Sequence, residues 1–195
     1  MTKAKPKEKF NTKSKAKEEH KLLCNKLFVR EAVKNIGPAL ILDAEDLKTT
    51  TFLKRRGFKN IIVPNPYVFD KIKSTRRATA VDMLVGEYLE KNPDIHRYSA
   101  VWLDYCASFD GNAEMKPQED IKLLFNKQKI SNNSTLAVTF SFRKHQRVDY
   151  VGQDEDRVRK CLTNEARLNG YTLVFERTHK YTGMFFILCR VYEND

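Results

Sequence analysis

The chain is poor in the patterns by which many activities announce themselves. Only seven of its 195 residues are glycine, and none belongs to the G-x-x-x-x-G-K-[ST] loop of a nucleotide hydrolase or kinase. The four cysteines, Cys24, Cys106, Cys161 and Cys189, form no C-x-x-C pair and keep no regular spacing, and the four histidines are scattered. A disulfide framework and a zinc site are therefore not indicated, and a reducing compartment is expected. No apolar run approaches the length that spans a bilayer, and the lysine-rich N-terminus lacks the apolar centre of a signal peptide. The expectation is an intracellular protein, cytoplasmic or nuclear, with no membrane partner and no metal. No internal repeat is visible.

What the chain does have is positive charge. The net charge is +11; residues 1–21 hold eight lysines against three glutamates, which supplies five of those charges and leaves six for the rest. Residues 1–16, with Phe10 almost their sole apolar residue, are expected to form a disordered basic tail, and 17–195 a single domain. Such a tail suits contact with nucleic acid, a solvated extension or a nuclear address equally.

Apolar spacing predicts a helix over 17–36, stopped by Gly37-Pro38, and then a strand from Ala39 to Asp43. A helix over 45–56, closed by Gly57, leads to the strand Ile61-Ile62-Val63, which Pro64-Asn65-Pro66 ends sharply. The stretch 67–92 reads mainly as helix, with a short strand at Ala78–Met83 as the minor alternative. Strands follow at 99–106 and 135–142, with helices at 117–130 and 154–169. Two aromatic-rich strands close the chain, 171–176 and 184–191, joined by Arg177-Thr-His-Lys-Tyr-Thr-Gly183. Alternating strands and helices predict an α/β fold with a mostly parallel, Rossmann-like sheet, helices on both faces and a C-terminal antiparallel β-hairpin.

Two of the apolar runs end on an aspartate, Ala39-Leu-Ile-Leu-Asp43 and Ala100-Val-Trp-Leu-Asp104. Buried parallel strands that break into polar residues deliver their carboxyl ends to the crevice where open α/β sheets bind ligands. Asp43 and Asp104 either hold a small cationic or hydroxyl-rich ligand or cap the helices that follow. Cys106, beside Asp104, has no His or Asp at a recognisable spacing and reads as a packing cysteine.

Over residues 39–192 this order of elements, with its antiparallel last strand, resembles the class I methyltransferases, which use S-adenosylmethionine. Leu40-Ile-Leu-Asp43 matches their first strand, and Thr49 to Gly57 the helix after it. The intervening Ala44-Glu45-Asp46-Leu47 stands where that family has a glycine-rich loop, and here it holds no glycine. The resemblance implies S-adenosylmethionine held by Asp43, Ala44, Glu45 and Asn65, the last standing near the usual ribose-binding acid. Asp82 falls near an adenine-contacting acid if 78–83 is a strand. Asp104 and Tyr105 fall where the family keeps an acid or amide and an aromatic near the transferred methyl, although the N/D-P-P-Y/F pattern of amino-group methylating members is missing. Asp104 would then accept a proton or hydrogen bond from the nucleophile, and Tyr105 would line the methyl channel or stack on a flat target.

Arg143, Lys144, His145 and Arg147 follow the strand at 135–142, and Lys180 lies in the 177–181 segment at the same sheet edge. A positive rim around an acidic crevice suits a nucleic-acid substrate, RNA ahead of DNA. Lys54-Arg55-Arg56 and Arg76-Arg77 read as solvated helix faces or helix C-terminal charges. Two functions follow: a methyltransferase acting on nucleic acid, or a catalytically inactive methyltransferase-like domain that binds nucleic acid or docks a protein.

Overall fold

A computed structural model describes residues 15–92, 97–105, 107–141, 151–181 and 183–194. The elements are α1 (Lys15–Ala32), β1 (Ala39–Ile41), α2 (Lys48–Arg55), β2 (Ile61–Pro64), α3 (Phe69–Thr75), β3 (Thr79–Val81) and α4 (Val85–Lys91). They continue as β4 (Tyr98–Asp104), α5 (Pro117–Asn126), β5 (Ile130–Ser141), α6 (Val151–Leu168), β6 (Tyr171–Tyr181) and β7 (Met184–Glu193). The strands form one seven-stranded sheet in the order β3-β2-β1-β4-β5-β7-β6. Strands β1 to β5 pair in parallel, and β7 alone runs against both of its neighbours.

Each face of the sheet is covered, so the central strands are apolar on both sides. Along β4, Val101, Leu103 and Tyr105 pack toward α4, α5 and α6, while Ala100 and Trp102 pack toward α1, α2 and α3. Helix α1 reaches the second layer through Cys24, Phe28 and Ala32, one turn apart, with Phe28 against the Trp102 ring. Its C-terminal end is clamped by a buried ion pair, Glu31 with Arg190 of β7 at 3.0 Å.

Three expectations need correction. The 67–92 stretch is not mainly one helical region: the parallel strand β3 separates α3 from α4 and pairs Ile62 with Thr79 and Val63 with Ala80. Helix α3 stops because Arg76 adopts φ 54, a left-handed cap conformation usually supplied by glycine, and no glycine marks it in the sequence. The segment Arg177–Tyr181 is not a loop but the second half of β6, with His179 opposite Phe186 and Tyr181 opposite Met184. A register shift between Phe175 and Arg177 resets the alternation there, and β7 returns antiparallel from Met184, with Gly183 at φ 73. Strand β5 also begins earlier than expected, at Ile130 rather than at residue 135.

Candidate functional site

The strand order reverses at β1, whose two neighbours are β2 and β4, so the crevice beyond their carboxyl ends is the topological switch point. Ile41 pairs with Trp102, and Asp43 and Asp104 each lie two residues further along adjacent strands. The register therefore brings the two aspartates of the sequence reading to the same crevice.

Their surroundings differ. Asp43 is buried, 4% exposed, and accepts hydrogen bonds from the Thr50 N–H at 2.8 Å and the Ala44 N–H at 3.1 Å. It ties the loop after β1 to the first turn of α2 and satisfies one of that turn's open N–H groups, although the N-cap residue itself is Leu47 and not Asp43. Burial pushes its carboxyl up to about 6, against the opposing effects of the Thr50 bonds and the Lys21 charge. Asp104 is more open and forms an ion pair with Lys21 Nζ at 3.2 Å.

Lys21 is the site residue that sequence reasoning missed, because it ends the run of tail lysines. It precedes Cys24 by three residues and Phe28 by seven, so it heads the buried stripe of α1. Asn25 fixes this turn: its Nδ2 donates to the Lys21 carbonyl at 2.9 Å, and its Oδ1 accepts from the Thr49 hydroxyl of α2 at 2.7 Å. The Lys21 ammonium consequently sits in the acidic crevice and acts on both aspartates.

The glycine-free loop still makes a tight turn. Leu47 is fully buried and holds φ 49, the left-handed conformation usually left to glycine. Ala44, Glu45 and Asp46 remain exposed, with Glu45 paired to Lys71 of α3 and Asp46 to Lys48 at 3.3 Å. Asn65, expected at the ribose, is engaged within the fold: its Nδ2 donates to the Asp43 carbonyl at 3.1 Å, and its Oδ1 accepts from the Tyr67 N–H at 3.1 Å. Tyr67 is 63% exposed, and its hydroxyl donates to Glu114 of the β4–α5 loop. Since β1 lies between β2 and β4, this contact passes across the crevice. Asp82 is exposed at the end of β3.

Tyr105 corrects the expected substrate contact. Alternation along β4 turns it away from Asp104, to the opposite face, where it is 2% exposed and stacks on Phe140 at 5.3 Å and 11°. Its hydroxyl donates to Asp120 Oδ2 at 2.7 Å. Burial pushes the Tyr105 hydroxyl well above its ordinary range and the Asp120 carboxyl up to about 6. Lys180, also expected at the nucleic acid, is paired with Glu155 at 2.8 Å. Arg143, Lys144, His145 and Arg147 lie outside the described residues, as does Cys106. A contact that sequence spacing does not show joins α1 to β6: His20 Nδ1 and His179 Nε2 hydrogen-bond at 2.9 Å beside the Tyr181 ring. Among the described residues no three metal-binding side chains converge, and no helix is long and apolar enough to cross a membrane.

No family model and no curated protein matches the chain. Solved structures do match. The N-methyltransferase NodS of Bradyrhizobium japonicum aligns with a TM-score of 0.61 and 9% identity over 91% of this chain and 98% of its own. M. jannaschii TYW2 in complex with AdoMet aligns at 0.55 and 15% over 96% and 80% of the two chains. The Methanococcus jannaschii fibrillarin pre-rRNA processing protein aligns at 0.57 and 8% over 84% and 70%. The fold is that of the class I S-adenosylmethionine-dependent methyltransferases.

Proposed function

We propose that this protein is an S-adenosylmethionine-dependent methyltransferase acting on nucleic acid, RNA ahead of DNA, with its cofactor in the crevice beyond β1, β2 and β4. The observation that carries the reading is the register of Asp43 against Asp104 at the switch point, with the Lys21 ammonium acting on both. A crevice holding both an ammonium and a carboxylate complements the amino-acid end of the cofactor, which carries both charges. The left-handed Leu47 lets the loop turn without glycine and leaves Ala44, Glu45 and Asp46 exposed beside the same end. Asp82, exposed just after β3, would meet the adenine. Asn65 acts indirectly, by bracing the carbonyl of Asp43 against β2.

The cofactor, when bound, supplies an activated methyl group. Asp104 orients the acceptor or takes its proton, and Lys21, paired with it at 3.2 Å, fixes where its carboxylate stands. Similarity to the pre-rRNA processing protein and the basic tail support a nucleic-acid acceptor.

Titration calorimetry of the full chain with S-adenosylmethionine and S-adenosylhomocysteine tests the reading. Both ligands are expected to bind, and Asp104→Asn to lower methyl transfer to RNA far more than it lowers cofactor affinity. Absence of binding to both the native chain and Lys21→Met defeats the reading. The Lys21–Asp104 pair favours one alternative, a module whose crevice is filled by its own lysine. On that reading neither ligand binds, while nucleic acid or a protein partner still does.

A further inference from the structure

The body of the chain owes its positive charge to one segment. Residues 48–81 carry nine lysines and arginines against one acid, Asp70, a surplus of eight, whereas 22–47 and 82–195 together come to minus two. This segment folds as α2, β2, α3 and β3, at one end of the sheet.

The fold also gathers these charges. Lys54 Nζ donates to the Arg76 carbonyl at 3.4 Å, and Arg77 donates to the Thr51 hydroxyl at 3.3 Å, which draws the α3–β3 turn onto the outer face of α2. Lys54, Arg76 and Arg77 are thereby neighbours, Arg55, Arg56 and Lys73 lie within three residues of them along the chain, and all six are exposed. Several cations elsewhere pair with acids, Lys21 with Asp104, Lys91 with Glu87, Arg157 with Asp110, Lys180 with Glu155 and Arg190 with Glu31, as do Lys48 and Lys71 of the segment itself with Asp46 and Glu45. Among the described residues none of the six forms an ion pair. The carboxyl ends of α2 and α3 each offer about half a negative charge, which offsets a fraction of six cations. Clustered like charges repel within a Debye length, so the folded chain bears a cost there that an anionic partner would relieve.

We propose that this α2–α3 surface binds the phosphate backbone of nucleic acid. Arginine and lysine in a cluster match phosphates, while Phe58 is buried and Phe52 and Phe69 are half-buried, so the patch offers no exposed ring on which a base would stack. The contact is to backbone and is indifferent to sequence. Helix α2 starts at the crevice, where Thr50 meets Asp43, and runs away from it, so its far end stands roughly 12 Å off for an eight-residue helix. The surface thus anchors the polymer beside the crevice rather than in it. This inference rests on the nucleic-acid part of the proposed function and is independent of methyl transfer.

Fluorescence anisotropy of the full chain with a labelled 20-base-pair RNA duplex tests it, without cofactor. Lys54→Glu/Arg55→Glu and Arg76→Glu/Arg77→Glu are compared with Lys122→Glu/Lys127→Glu, an equal charge change on α5. Two lost phosphate contacts should make the slope of log association constant against log salt shallower by about 2 and cost about tenfold in affinity near physiological salt. The α5 variant should lose less than about threefold. Thermal unfolding checks that each variant folds; if the Arg76 pair fails to, the Lys54 pair on the helix face carries the test. Equal losses in all three variants, or no duplex binding by the native chain, overturns the proposal. A native chain that binds duplex but takes no cofactor leaves the surface in place and defeats only the methyltransferase reading.

Discussion

Replacing Tyr105 by phenylalanine removes one hydroxyl and keeps the ring stacked on Phe140, so its effect isolates the bond to Asp120. Asp120 is 7% exposed, and losing the donor leaves a buried carboxylate oxygen without it, a cost of about 1–3 kcal/mol at neutral pH. The cost depends on pH in a definite direction. Burial raises the Asp120 carboxyl in the folded protein to about 6 from its ordinary 3.8, so the native state binds the proton more tightly than the unfolded chain. Stability from this group is therefore greatest below pH 4 and declines as pH rises from 4 through 6. The Tyr105 hydroxyl opposes that decline by favouring the ionised form. In Tyr105→Phe the decline should extend past pH 6, making the variant's deficit large at pH 7.5 and small at pH 5. Urea unfolding followed by circular dichroism at the two pH values measures both. A deficit equal at the two pH values, or below about 0.5 kcal/mol at pH 7.5, would refute the assignment. Cofactor affinity should be unchanged, because Tyr105 faces away from the crevice.

The clamp between α1 and β7 should be costly to break from one side: Arg190→Met strips Glu31 of its buried partner while Arg30 and Lys34 still pair with it, and is expected to cost about 1.5–3 kcal/mol in urea unfolding, with Glu31→Met/Arg190→Met recovering part of it. Gly86→Ala in α4 should destabilise by about 1–3 kcal/mol although alanine favours helix, since its Cβ would stand 2.2 Å from Asp120 Oδ1. A stabilised Gly86→Ala protein, read by its thermal midpoint, would show that Asp120 moves freely.

The parallel half of the sheet was legible because its strands are short, apolar on both faces and punctuated. Ala39 to Asp43 and Ala100 to Asp104 stop at a carboxylate, Gly57 closes α2, and Pro64-Asn65-Pro66 closes β2. Where punctuation fails, the elements were misread. Arg76 takes a left-handed cap that glycine would have advertised, so the break before β3 carried no sign. Strand β6 was cut short because its register shift after Phe175 interrupts the alternation by which a half-buried strand is recognised.

The site was half legible for a related reason. A strand's direction and end can be read from composition, whereas the partners of a side chain depend on what another element brings to it. Asp43 and Asp104 were placed at one crevice by strand order alone, yet one became a buried anchor for α2 and the other the partner of a lysine 83 positions earlier in the chain. Tyr105 was adjacent to Asp104 in sequence and was separated from it by the pleat, which turns neighbours to opposite faces. Lys21 was hidden differently. It is the eighth lysine of a run whose others belong to the tail, and only its phase with Cys24 and Phe28 distinguishes it. The same phase puts its ammonium where an acidic crevice would otherwise hold two carboxylates unopposed, and this ties the N-terminal helix to the electrostatics of the site. On the proposed reading, a ligand with a positive charge would share Asp104 with Lys21 or displace it, so α1 would bear on what the crevice accepts although it contributes no residue to the strand ends.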